Sequence, residues 1–243
     1  MKRILAISDI HGEIDMFERL LDQVGYHPDA DQLILIGDYI DRGPDSKAVV
    51  DKVIALHEKG AIVLLGNHED MMIKAFTTGE ERPWRNWVER NGGDATLRSY
   101  GFTEKQFIVP ADIPFETPSL TSPLLDLHMA FIQSMPRYIE MEEYIFVHAG
   151  INPDCTVKET DPHELVWIRN VFHDGYCGEK AVVFGHTPTK YLHKNQEDHS
   201  IYFGENHIIG IDGGAVFGGQ LNCLEIPGRI CHSVKSRFTI STE

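Results

Sequence analysis

The sequence predicts an α/β fold built on a parallel core sheet. Compact apolar runs alternate with helix-period apolar stripes through the first 76 residues, and each run stops abruptly at a polar or glycine residue. Three strand-to-helix units in succession require crossovers that cover both sheet faces. The first run, Arg3–Ile7, ends at Ser8-Asp9, and a stripe of Ile14, Phe17, Leu20, Leu21 and Val24 follows at helical spacing. The second, residues 32–36, ends at Gly37-Asp38 and leads into Val49, Val50, Val53, Ile54 and Leu56. The third, residues 61–65, ends at Gly66-Asn67 before Met71, Met72, Ala75 and Phe76.

Residues 77–137 have a different character. They begin aromatic and helical, with Trp84, Trp87, Tyr100, Phe102 and Phe107, and are then broken by Pro110, Pro114, Pro118 and Pro123 before a helix over 124–135. This stretch reads as a helical segment inserted beside or over the core, with ordinary packing helices as the equal alternative. Strand patterns return at Tyr144–Val147, Ala181–Phe184, residues 201–203, residues 207–211 and Gln220–Ile226, with Gly213, Gly214, Gly218 and Gly219 marking a tight loop. No repeat is visible, and residues 1–243 read as a single domain.

Composition narrows the function classes. The chain has 243 residues, 42% hydrophobic and 24% charged, which is ordinary globular usage. A net charge of −15 argues against nucleic-acid or membrane-surface partners, which need a basic face. Thirteen histidines exceed what surface usage needs and suggest metal or acid–base sites. The four cysteines (Cys155, Cys177, Cys223, Cys231) form no CxxC pair, so they read as reduced thiols. The N-terminal apolar run is too short for a signal peptide or a membrane span, and a cytoplasmic location is expected.

The informative residues sit where the strand runs end. Asp9-Ile10-His11 follows the first and Asp38, Asp41 and Arg42 follow the second. Asn67-His68-Glu69 follows the third, and later runs end in His148-Ala149-Gly150 and Gly185-His186-Thr187. Taken singly, each has an ordinary explanation: a surface Asp–His pair, a helix N-cap, a loop histidine. Five together are another matter, because α/β sheets gather ligands at the carboxyl ends of their strands. Carboxylate, amide oxygen and imidazole suit Mn²⁺, Fe or Zn²⁺ and need no thiolate. One carboxylate can bridge two such ions roughly 3.5–4 Å apart.

These motifs resemble the calcineurin-like metallophosphoesterases, most closely the bacterial and phage members of their PPP branch of Ser/Thr protein phosphatases. The pattern DxHG, GDxxDRG, GNHE, HxG and GHT stands here at residues 9–12, 37–43, 66–69, 148–150 and 185–187. Residues 165–169 (LVWIR) and 211–219 (IDGGAVFGG) also look like those members. Ser8 and Ala149 depart from glycines common in the branch, at positions that supply no ligand. The resemblance implies a four-layer αββα sandwich with the site at its loop edge. It implies that Asp9 and His11 hold one metal, Asp38 bridges, and Asn67, His148 and His186 hold the other. It also implies that His68 is the general acid oriented by Asp41, and that Arg42 and Arg169 hold phosphate.

The expected function is therefore metal-dependent hydrolysis of a phosphate monoester by in-line attack of water, with two divalent ions, Mn²⁺ first and Fe or Zn²⁺ as alternatives. A phosphoserine or phosphothreonine protein is the first substrate reading. A dinucleoside polyphosphate such as diadenosine tetraphosphate is the alternative, and a scaffold without catalysis is disfavoured because no ligand is missing. A dinucleotide calls for aromatic platforms and extra cations. Trp84, Trp87, Arg82, Arg85 and Arg90 are candidates, although the interleaved Glu80, Glu81 and Glu89 make a solvated mixed-charge face the simpler reading. Chelation is expected to abolish hydrolysis and added Mn²⁺ to restore it; full turnover in excess chelator would remove metals from the reaction.

Overall fold

Strand β1 (Arg3–Ile7) is buried at every position from Ile4 onward, so it must have partners on both faces. The computed structural model of the chain describes residues 2–236 and supplies them. β1 pairs in parallel with β2 (Asp31–Leu35), placing Leu5 beside Leu33, and β2 pairs in parallel with β3 (Ile62–Val63). The other strands are β4 (Tyr138–Glu140), β5 (Tyr144–Val147), β6 (Ala181–Phe184), β7 (Tyr202–Phe203), β8 (Ile208–Gly210), β9 (Gln220–Ile226) and β10 (Ile230–Lys235). They complete two five-stranded sheets, ordered β10-β9-β1-β2-β3 and β4-β5-β6-β8-β7. The helices are α1 (Ile14–Gln23), α2 (Ser46–His57), α3 (Asn67–Thr77), α4 (Glu81–Arg85), α5 (Gly93–Ser99), α6 (Glu104–Phe107), α7 (Pro123–Gln133), α8 (Glu164–Trp167) and α9 (Asn170–Gly175).

Three apolar clusters separate four layers. One lies between the sheets, where Ile4, Ala6, Ile34 and Leu224 meet Phe146, Val183 and Ile209. A second joins Leu5, Ile7, Leu33 and Leu35 to α1, α2 and α3 through Phe17, Leu20, Val53 and Met72. A third joins Val147, Val182 and Phe184 to Leu165 and Phe172 of the short helices α8 and α9. Successive residues of β1 thus point into different layers, the period-two consequence of a strand buried on both sides. This is the four-layer αββα sandwich that the resemblance implies.

β1, β5, β6 and β9 begin and end where the apolar runs do. β3 is shorter than its run because Leu65 donates to the Pro136 carbonyl at 2.9 Å instead of extending the ladder. β4 and β10 give no apolar run: the first is two half-buried residues and an exposed Glu140, and the second is an edge strand paired only to β9. The 77–137 segment shares the core of the first sheet, since Trp84, Trp87, Leu97, Phe107 and Ile132 are fully buried among its residues. Ion pairs form on the mixed-charge face, and the aromatic platforms are absent from it. Arg85 pairs with Glu81 and Glu89, but Trp84 and Trp87 point inward, so neither is a platform at a surface site.

Phe146 is fully buried between the sheets, and truncating it removes contacts on both sides. Phe146→Ala is expected to lower stability by about 3–5 kcal/mol in urea unfolding; a loss below about 1 kcal/mol would mean that the two sheets are not closely packed there.

Candidate metal centre

The loops that leave the parallel strands are themselves laced together. The backbone N–H groups of Asp9, His11 and Gly12 donate to the carbonyls of Gly37, Asp38 and Tyr39 at 2.9–3.1 Å, and Gly185 N–H donates to His148 O at 2.9 Å. Asp9, His11, Asp38, Asp41, Arg42 and His186 all have positive φ, between 46° and 74°. They are six of the eight non-glycine residues in that region among the described residues. Such backbone is costly and collects at functional sites. Gly37 turns at φ 89° against Gly66, where an added Cβ would stand 2.6 Å from the backbone.

Asp38 lies at the centre. Its Oδ2 faces His11 Nε2 at 3.5 Å and His68 Nε2 at 4.0 Å, while its Oδ1 faces His148 Nε2 at 3.4 Å. The ligand atoms of His11, Asp38 and His68 lie within 4.8 Å of one another, and so do those of Asp38, His148 and His186. Asn67 Oδ1 joins the second group, 2.9 Å from His148 Nε2 and 2.8 Å from His186 Nδ1. Asp9 stands beside both groups rather than within either; its carboxylate accepts from Ser8 Oγ and from the His186 N–H. The motif residues proposed for metals therefore converge, with Asp38 between two clusters.

Further residues hold these in place. Glu69 accepts backbone N–H groups from Gly66, Asp38, Tyr39 and Ile40 at 2.8–3.3 Å, joining the loop after β2 to the start of α3. Asp41 Oδ2 is 2.6 Å from His68 Nδ1. Behind it, the Trp87 indole N–H donates to Asp41 at 2.9 and 3.1 Å and the Thr96 hydroxyl donates to Oδ1 at 2.6 Å. Trp87 lies in a π-helical turn, Asn86–Arg90, of the 77–137 segment, and Thr96 lies on α5. Gly92, between them, accepts the Arg42 N–H at 3.1 Å. Glu69 was visible in the GNHE motif without a role. Nothing local in the sequence pointed to Trp87 or Thr96, whose contacts with Asp41 span 46 and 55 residues.

Asp9, His11, Asp38, Arg42, Asn67, His68, Arg169 and His186 line one cavity of about 350 Å³. His148 and Asp41 are buried immediately behind it. Arg42 Nη1 reaches His11 Nε2 at 2.9 Å and Arg169 Nη1 donates to Thr187 Oγ1 at 2.9 Å. Among the residues without an assigned role that share the wall are a carboxylate, Asp212 from the IDGG segment, and an ammonium, Lys190 from the turn after the GHT motif.

Residues 2–219 match the calcineurin-like phosphoesterase family. The chain belongs to that family. A bis(5'-nucleosyl)-tetraphosphatase PrpE [asymmetrical] of Bacillus thuringiensis (strain Al Hakam) is 26% identical, over 98% of this chain and 96% of its own. Among solved structures, a candidate diadenosine tetraphosphatase superposes with TM-score 0.69 at 22% identity, covering 98% of this chain and 95% of that one. A protein serine/threonine phosphatase of Saccharomyces cerevisiae superposes with TM-score 0.64 at 13% identity, covering 99% and 82%. At those identities the two structures speak for the fold.

The family works through a binuclear divalent metal centre, and the donors of this phosphoesterase fit one. His148 Nδ1 lies 2.8 Å from the Ile36 carbonyl and must carry the ring proton there, so Nε2 presents a lone pair to Asn67 Oδ1. Two acceptors facing each other at 2.9 Å repel until a cation lies among them. His11 repeats the pattern, with Nδ1 on the Ile40 carbonyl at 2.8 Å and Nε2 turned inward. A ring N–H fixed on a carbonyl is how metal-binding imidazoles are oriented.

The charges agree. Burial, then the neighbouring Asp212, pushes Asp9 well above the carboxylate range, and burial, then Asp9, does the same to Asp38. Burial lifts Asp212 to about 6, Glu69 to about 7 and Asp41 to about 8, and lowers His148 to about 3. Metal-free, the folded chain therefore keeps carboxyl protons that the unfolded chain has released above about pH 4. Its stability should fall as pH rises through the folded values, whereas bound cations favour the ionised ligands. The gain in Tm on adding Mn²⁺ to chelator-treated protein is accordingly expected to grow between about pH 6 and about pH 8; a gain that shrinks with pH would contradict this account of the buried carboxylates.

Proposed function

We propose that this phosphoesterase hydrolyses dinucleoside polyphosphates, with diadenosine tetraphosphate as the reference substrate, by asymmetric cleavage to a mononucleotide and a nucleoside triphosphate. The observation that carries the reading is the cavity: members of both donor clusters line it together with Arg42, Arg169 and Lys190. Three cations exceed the needs of one phosphoryl group and suit a chain of phosphates. The similarity to the tetraphosphatase relative, which runs nearly end to end in both chains, supports the same choice.

In this reading Asp9, His11, Asp38, Asn67, His148 and His186 hold the two divalent ions, which when bound activate water and neutralise phosphoryl oxygens. The single lone pair of His11 Nε2, 2.9 Å from Arg42 Nη1, would serve a cation held there, and the Arg42 guanidinium would then be available to phosphate. Arg42 and Arg169 then fix the phosphoryl oxygens for in-line attack. His68 faces the cavity with its Nδ1 on Asp41. With Asp41 raised to about 8 by burial, the pair holds at neutral pH as many protons as an imidazolium–carboxylate pair. Burial, then Arg42, pushes His68 well below the usual imidazole range, so the proton to be delivered is shared with Asp41 rather than fixed on His68 as an imidazolium. Trp87 and Thr96 keep the Asp41 carboxylate turned toward His68.

The 2.6 Å His68–Asp41 contact also favours a second reading, phosphoserine or phosphothreonine hydrolysis. An alkoxide leaves poorly and needs a proton more than a phosphate chain does, and such an acid contributes about 10²–10⁴ in rate. Parallel assays of Mn²⁺-loaded protein on diadenosine tetraphosphate and on a phosphopeptide decide between them. The expected result is a higher kcat/KM on the dinucleotide, with His68→Asn costing far more on an alkyl phosphate than on nitrophenyl phosphate. A phosphopeptide that wins by kcat/KM would replace the first reading with the second, and failure on both substrates would end both.

A further inference from the structure

The cavity wall above the donor clusters contains rings that the metal chemistry does not use. Tyr191 is 64% exposed and Phe217 is 57% exposed, and both line the cavity together with Trp167. Large apolar side chains left this open beside a polar site call for an explanation. Phe217 closes a short turn, Ala215–Phe217, between Gly214 and Gly218 at φ 66° and 83°, so the backbone presents the ring on a tight bend. Each ring has a cation of the cavity over it: the Arg42 guanidinium carbon is 5.1 Å from the Phe217 centroid, and Lys190 Nζ is 5.1 Å from that of Tyr191. The indole N–H of Trp167, in the same wall, is buried without a hydrogen-bond partner among the described residues.

We propose that Phe217 and Tyr191 form a nucleobase subsite, on which a base stacks while its phosphates extend along Arg42 and Lys190 toward the donor clusters. This rests on the dinucleoside polyphosphate reading and adds the residues that recognise the nucleoside. Alternation of ring and cation matches a ligand whose flat base and anionic chain are joined by one sugar. A π-face is common to every base, and stacking on an aromatic side chain is tolerant of which base is offered. The subsite therefore selects nucleotides over plain phosphate esters and discriminates weakly among bases.

Titration calorimetry of Mn²⁺-loaded protein with AMP and with ribose 5-phosphate isolates the base, because the two ligands share charge and sugar. AMP is expected to bind roughly ten-fold tighter or more, with GMP within a few-fold of AMP. Phe217→Ala and Tyr191→Ala should each reduce the AMP preference and together bring it to about one, while Phe217→Trp keeps it. Both side chains are exposed, so the variants are expected to fold. Equal affinity of the wild-type protein for the two ligands, no measurable AMP binding, or a preference that survives the double variant would overturn the subsite. An AMP preference without cleavage of diadenosine tetraphosphate would leave the subsite standing and remove the substrate reading; cleavage without the preference would do the reverse.

Discussion

The Glu69 carboxylate is the tie on which the site depends. Its two oxygens take N–H groups from Gly66, Asp38, Tyr39 and Ile40, so one buried side chain satisfies the turn after β2 and the first turn of α3 together. Backbone donors buried at such a junction must find acceptors. Meeting that requirement with one carboxylate also sets the distance between the Asp38 loop and Asn67-His68. The His68 N–H adds a second tie, donating to Asp38 Oδ1 at 3.0 Å, so the carboxylate between the two clusters and the amide on α3 keep a fixed relation.

The same loops carry left-handed backbone at Asp9, His11, Asp38, Asp41, Arg42 and His186. Residues held in that region stay there only when their surroundings over-determine them. Part of that surrounding comes from the 77–137 segment. Trp87 and Thr96 bond the Asp41 side chain, and Gly92 bonds the Arg42 backbone and packs on its side chain, where an added Cβ would approach within 2.8 Å. The helices read either as an insertion beside the core or as packing helices supply Trp87, Gly92 and Thr96 to the site. Their aromatic residues are core residues because the sheet and the Asp41 cage need them there.

Electrostatics joins fold and chemistry. Buried carboxylates raised above their usual range and buried imidazoles lowered below theirs form a set of donors that repel or hold protons until positive charge arrives. Perturbed groups gathered in a cleft are the signature of a functional site. The net acidity of the chain makes the three cations of this cavity more informative, because they stand out against a surface of the opposite sign.

The sequence by itself determined the strand ends. Asp9, His11, Asp38, Asp41, Arg42, Asn67, His68, His148 and His186 were readable because each lies within a few residues of an apolar run, and a parallel sheet gathers such ends at one edge. The runs also required covering on both sheet faces, while the four-layer order was what the family resemblance implied. Tertiary structure decided what depends on distant packing. It turned Trp84 and Trp87 into the core, gave Glu69 and Thr96 their partners, and placed Asp212, Lys190, Tyr191 and Phe217 in the cavity wall. The physical reason is range: a ligand at a strand end is fixed by its own strand, but a hydrogen bond across 46 residues or a ring at a cavity rim is fixed by segments whose approach no local pattern records.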